Sequence, residues 1–173
     1  METSNNISSL RQLLDEDSSR LISGEVQLKK GILEWMTRDT PFLFQSLMHR
    51  YLGKIENHIC GLEEFCQEEQ LLSLKDFNRI MNAFIEDINK KLSGCTSKQV
   101  KAACLYEGIR EICYYKISAY QSAAAFAAAV GLNKAGQLFY QAVKDEKAID
   151  EELSRMAEHD INLKTLAPLA LAK

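Results

Sequence analysis

Proline and glycine are scarce in this chain, two and eight among 173 residues, which argues against a β-rich fold built on many tight turns. Long apolar runs are missing too. The longest, Ser122 to Leu132, is mostly alanine and falls short of the ~18 residues that a membrane-crossing helix needs. The N-terminal METSNNISSL has no basic start followed by an apolar core, so no secretory signal is read there. Excess charge is absent as well. The net charge is −3, without the basic surplus that a nucleic-acid partner calls for.

Cysteine chemistry is thin for a different reason. The five cysteines, Cys60, Cys66, Cys95, Cys104 and Cys113, contain no CxxC pair. On a helix, the step from Cys104 to Cys113 turns the two thiols to opposite faces at about 100° per residue. Neither a zinc site nor a disulfide framework follows. They read as small buried apolar side chains of a protein in a reducing cytoplasm. No Gly-rich phosphate loop or His-Glu-x-x-His helix occurs, and Asp15-Glu16-Asp17 lacks the glycine and closing glutamate of a calcium loop.

What remains is helix. With 46% apolar and 26% charged residues, the composition is that of an ordinary globular domain, and residues 1–173 read as one. A first stripe carries Leu10, Leu14, Leu21, Leu28, Ile32 and Trp35 and stops near Arg38. Thr40-Pro41 restarts the chain, with Thr as N-cap and Pro in the first turn. The second stripe is Phe44, Leu47, Tyr51, Ile55, Leu62 and Phe65. Ser73 with Asp76 predicts the start of a shorter helix through Met81, Phe84, Ile85 and Ile88 to Gly94.

Thr96 with Gln99 predicts a capping box for a third long helix through Leu105, Ile109, Ile112, Ile117 and Tyr120, ended by Val130-Gly131. A last helix from about Asn133 carries Leu138, Ala142, Val143, Ile149, Leu153 and Met156. The bundle spans about residues 8–159, and 160–173 form a C-terminal tail. Four long helices and one short crossover element between the second and third make a helical bundle the default architecture.

The stripes contain residues that do not belong in a core. Glu25 lies between Leu21 and Leu28, and Lys54 and His58 lie among Tyr51, Ile55 and Leu62. Lys116 lies between Ile112 and Tyr120, and Glu146 between Phe139 and Leu153, with Asp150 one turn on. Each long helix thus turns an ionisable group inward near its middle. Buried charges are costly unless they meet partners, so Glu25, Glu146 and Asp150 should face the ammoniums of Lys54 and Lys116, with His58 among them. The competing reading is that the lysines snorkel to water along the stripe margins.

The order of motifs resembles the YciE/YciF-type ferritin-like proteins. The first-helix segment Ser23-Gly24-Glu25-Val26-Gln27-Leu28 and the second-helix run Leu52 to Phe65, LGKIENHICGLEEF, carry the likeness. So do the short helix around Met81 to Glu86, the third-helix Tyr115-Lys116-Ile117-Ser118-Ala119-Tyr120 and the fourth-helix segment Asp145 to Leu153.

The resemblance implies a ferritin-like four-helix bundle, a homodimer and a link to stress response. It also implies a two-metal centre held by carboxylates and imidazoles. Glu25, His58, Glu146 and Asp150 keep ligand types. Lys54 and Lys116 stand where the family pattern has glutamates, and Tyr114 stands where it has a histidine. An ammonium offers no lone pair to a metal and repels it. No metal or other cofactor is therefore expected, and the chain reads as a non-catalytic structural or interaction module. The alternative is a diiron or dimanganese oxidoreductase, or a metal store, with an altered ligand set. A small-molecule pocket among Glu25, His58 and Lys116 is a third option.

Overall fold

A computed structural model describes residues 7–71 and 77–165. Among them the fold is all-α: α1 (Leu10–Met36), α2 (Phe42–Glu68), α3 (Arg79–Gly94), α4 (Lys98–Ala129) and α5 (Asn133–Thr165). The four long helices pack in a ring, α1 on α2, α2 on α5, α5 on α4 and α4 on α1, while α3 lies across α1 and α4. No described helix is long and apolar enough to cross a membrane.

The predicted stripes form the core, except that Leu10, at the first turn of α1, is exposed. Leu14, Leu28, Ile32, Trp35, Phe44, Tyr51, Ile55, Leu105, Ile109, Ile112 and Leu153 are wholly shielded from solvent. Helix α4 is buried on opposite sides because α3 covers the face that α1 and α5 leave free. That is why Cys104 and Cys113, pointing apart, are both inside. Cys66 is also buried, whereas Cys60 on the outer face of α2 is exposed and Cys95 at the C-cap of α3 is half-buried, contrary to the reading of all five as core thiols.

The ends of the helices differ from expectation by small steps. Pro41, not Thr40, is the N-cap of α2 and makes no side-chain cap bond. The Thr40 hydroxyl instead donates to the Arg38 carbonyl. Ser97, one residue beyond Thr96, caps α4 by accepting from the Val100 amide at 3.2 Å. Ser73 and Asp76 lie outside the described residues. Gly131, at φ 79°, closes α4 as foreseen. The Leu132 amide reaches back to the Ala127 carbonyl and the Gly131 amide to that of Ala128, a left-handed termination that glycine favours. Helix α5 runs on to Thr165, past the boundary at about 159, because no glycine or proline interrupts it before Pro168.

Helix α3 is fixed by Asn78, its buried N-cap. The side-chain oxygen accepts from the Met81 amide at 2.9 Å. The side-chain nitrogen donates to the Arg20 carbonyl at 3.0 Å and the Tyr115 hydroxyl at 3.1 Å. One amide group thus ties α1, α3 and α4 together. Gly24 leaves room for it, since a Cβ there would sit 2.8 Å from Asn78 Nδ2. Asn78→Ala is expected to cost about 2–3 kcal/mol, from a lost cap and two lost buried hydrogen bonds. Chemical denaturation measures the loss, and hydrogen exchange should rise first in α3. An unchanged midpoint would contradict this role.

Candidate functional site

The apolar interior is divided in two. One cluster runs from Leu28 and Ile32 to Ile149 and Leu153, the other from Leu14 and Leu21 to Phe139 and Val143. Between them lie Glu25 of α1, His58 of α2, Lys116 of α4 and Glu146 of α5, at most 5% exposed. The helical repeat explains the shared depth: each is flanked one turn away by core residues of both clusters.

Lys116 is central. Its Nζ is 2.6 Å from Glu146 Oε1 and 2.8 Å from Glu25 Oε2. Glu25 Oε2 has this charge contact but no well-aligned hydrogen-bond donor. The ammonium also lies 5.0 Å from the centre of the Tyr51 ring. Two tyrosines complete the carboxylates. Tyr51 OH donates to Glu146 Oε2 at 2.6 Å and Tyr120 OH to Glu25 Oε1 at 2.5 Å.

His58 bridges the cluster to the surface. Its Nδ1 is 3.1 Å from Glu25 Oε1 and its Nε2 is 3.3 Å from Asp145 Oδ2. Asp145 in turn accepts from Lys54 Nζ at 2.5 Å.

Glu25 and Lys116 hold each other in the ionised form. Burial alone would raise the Glu25 carboxyl, but the Lys116 ammonium and His58 outweigh it and hold it down at about 2. Burial would likewise lower Lys116, yet Glu146 and Glu25 push it above its ordinary range. Burial, with Cys113 and Glu146 adding for Tyr51 and Glu25 adding for Tyr120, keeps both phenols well above their usual range and so protonated as donors. Burial and Glu146 also raise Cys113, whose thiol faces Tyr51 OH at 3.7 Å. This thiol is no nucleophile.

Two expected members are not in the layer. The Lys54 side chain is 34% exposed and meets Asp145 at the rim rather than Glu25 or Glu146. Asp150 pairs with Arg110 at 2.7 Å on the outer seam of α4 and α5. Both lie on the margins of their stripes, where a flexible side chain reaches water at little cost. Lys54→Ala is accordingly expected to cost less than about 1 kcal/mol by denaturation, as a half-exposed pair does. A loss above about 3 kcal/mol would place it back among the buried charges.

Three members of the cluster are not evident from the linear pattern. It points to Asp150 rather than Asp145, and it places Tyr51 and Tyr120 in the apolar stripes without their hydroxyl contacts to Glu146 and Glu25. A tyrosine one turn from an inward carboxylate on a facing helix is the signal that could have found the last two. Of the other α4 tyrosines, Tyr106 is core, Tyr115 bonds Asn78 and Tyr114 lies exposed beside Arg110.

The fit to a two-metal centre is poor. One donor atom each from Glu25, His58 and Glu146 lie within 4.8 Å of one another, but only two carboxylates are fully buried there. An ammonium stands between them. Two divalent ions need more anionic oxygen than that to offset their charge.

Comparison with known proteins gives consistent relatives. A family model described as a domain of unknown function (DUF892) matches residues 39–166. Protein YciF of Escherichia coli strain K12 is 24% identical over 143 residues, covering 82% of this chain and 86% of that protein. The crystal structure of the Escherichia coli stress protein YciF superposes with a TM-score of 0.84 at 23% identity, covering 91% of this chain and all of that one. YcfI, a putative structural protein from Rhodopseudomonas palustris, superposes at 0.83 with 16% identity, covering 87% of this chain and 96% of that one.

Proposed function

The chain belongs to the DUF892 family, and we propose that it is a metal-free, ferritin-like helical module with a structural or associative role, not a catalyst. The carrying observation is Lys116, whose ammonium lies between Glu25 and Glu146 at 2.8 and 2.6 Å. A fixed positive charge there neutralises the layer that two metal ions would otherwise require. The three buried or half-buried carboxylates Glu25, Glu146 and Asp145 meet the ammoniums of Lys116 and Lys54, with His58 between two of them. Such a layer sets the mutual register of four helices at a stability cost that apolar residues would not carry.

The relatives, a stress protein and a putative structural protein by their names, support a structural role in a stress response, and we place the chain in the cytoplasm as part of the same proposal. We further propose a homodimer. From Ser118 to Ala129 the outer face of α4 exposes only Ser118, Gln121, Ser122, Ala125, Ala128 and Ala129, small or uncharged side chains that allow a second copy to approach closely. Light scattering of the purified protein tests the dimer.

Metal analysis tests the central claim. Protein purified without added chelator, and again after incubation with ferrous or manganous salt, should hold far less than one ion per chain. Iron or manganese near one or two per chain would establish the alternative, a diiron or dimanganese oxidoreductase or metal store with an altered ligand set.

A further inference from the structure

We propose that Cys95 and Cys104 are a redox-switchable pair, which a hydroperoxide joins into a disulfide that locks the end of α3 onto α4. This goes beyond the metal-free reading and does not depend on it.

The register of the two helices brings the thiols together. Helix α3 ends at Gly94 and α4 starts at Lys98, so a short connection turns one helix back along the other. Gly108 leaves room for Ile88, whose side chain fills the place of a Cβ, and Lys91 Nζ lies 3.8 Å from Glu107 Oε2. One turn nearer the connection on each helix, the Cys95 and Cys104 thiols meet within hydrogen-bonding range. Both pack in the same apolar cluster and both are free. The exposed Cys60 faces Glu64, and the deeply buried Cys113 faces Tyr51.

The surroundings give the two thiols different parts. Cys95, the C-cap of α3, is half-buried and open to a small oxidant. Its thiol donates to the Lys91 carbonyl at 3.2 Å, which fixes the sulfur against the last turn of α3. Cys104 is 8% exposed. Burial and the neighbouring Cys95 push its thiol up to about 11, against the pull of the Lys91 ammonium. Cys95 is therefore the attacking thiol and Cys104 the resolving one.

The Cys95 thiolate attacks one oxygen of the hydroperoxide, the O–O bond breaks, and the departing oxygen takes a proton to leave as water or alcohol. The Cys104 thiolate then attacks the sulfenic sulfur, the S–O bond breaks, and hydroxide leaves as water with a second proton. Two thiols are oxidised and one peroxide is reduced. A small dithiol reverses the change by exchange, the behaviour of a transient, redox-sensing disulfide in a reducing compartment.

The bond would fix the weaker end of α3. Asn78 ties the N-terminal end to α1 and α4, whereas Lys91 near the other end makes exposed ion pairs with Asp87 and Glu107. Joining residues 95 and 104 closes a short loop around the connection.

Full-length Cys60→Ser protein, which lacks the exposed thiol, is reduced, freed of reductant and treated with hydrogen peroxide. Its intact mass should fall by that of two hydrogen atoms. Tryptic peptides 92–98 and 102–110 should emerge as one linked species that dithiothreitol separates. The melting temperature should rise by about 5–10 °C, and exchange of the α3 amides should slow by about 10-fold or more. With Cys104→Ala added, dimedone should trap a sulfenic acid on Cys95. With Cys95→Ala added instead, the same dose should leave Cys104 a thiol. An unchanged mass, a gain of oxygen without a link, or a link through Cys66 or Cys113 would overturn the pair. A linked protein with unchanged melting and α3 exchange would overturn the lock, and trapping at Cys104 would overturn the assigned parts.

Discussion

Lys116→Met should destabilise the protein by about 3–5 kcal/mol, the range for breaking a buried ion pair by removing one partner. Methionine retains the buried stem and packs as a flexible apolar chain, so the loss isolates the charge. Without the ammonium, Glu25 and Glu146 remain inside the bundle with only tyrosine hydroxyls and His58 to answer them. Neutralising the carboxylates as well should undo most of the damage. The triple variant Lys116→Met, Glu25→Gln, Glu146→Gln should recover more than half of the loss, because uncharged amides are far cheaper to bury than unpaired carboxylates. Guanidinium unfolding followed by circular dichroism measures both. A single-variant loss below about 1 kcal/mol would mean that the carboxylates had found water.

Acid should weaken the fold by about 3 kcal/mol through Glu25 alone. The carboxyl is held at about 2 in the folded chain against an ordinary value of 4.5, so the unfolded chain takes up the proton first as pH falls. The contribution is complete above about 4.5 and is lost progressively as pH drops towards 2. Asp145 is lowered too and adds a smaller loss of the same sign, since it lies near the rim. Lys116 works in the opposite direction. Its folded form is raised above an ordinary 10.5, so its contribution is intact below that pH and is lost only as pH climbs beyond it. Urea midpoints between pH 7 and 2 should therefore fall on the acid side, and Glu25→Gln should flatten much of that slope. A native profile level from pH 5 to 2.5 would contradict the pairing.

Much of this molecule is written in the spacing of its residues. A period of 3.6 places every third or fourth residue on one face, so the core positions, the number of helices and the inward turn of Glu25, His58, Lys116 and Glu146 follow from the linear pattern. The same arithmetic places Lys54 about 60° off the centre of the α2 stripe, and Lys116 close to the centre of its own. Spacing along one helix cannot say what stands opposite. Which lysine reaches the carboxylates was decided when α5 brought Asp145 to the outer flank of α2 and Glu146 to the bundle axis. Asp150 was drawn off by Arg110 for the same kind of reason, a partner supplied by a neighbouring helix. Tyr51 and Tyr120 acquired their roles only because their hydroxyls end where Glu146 and Glu25 arrive. Periodicity dictates which way a side chain faces, whereas pairing depends on distances of about 3 Å between atoms on separate helices, and packing alone sets those.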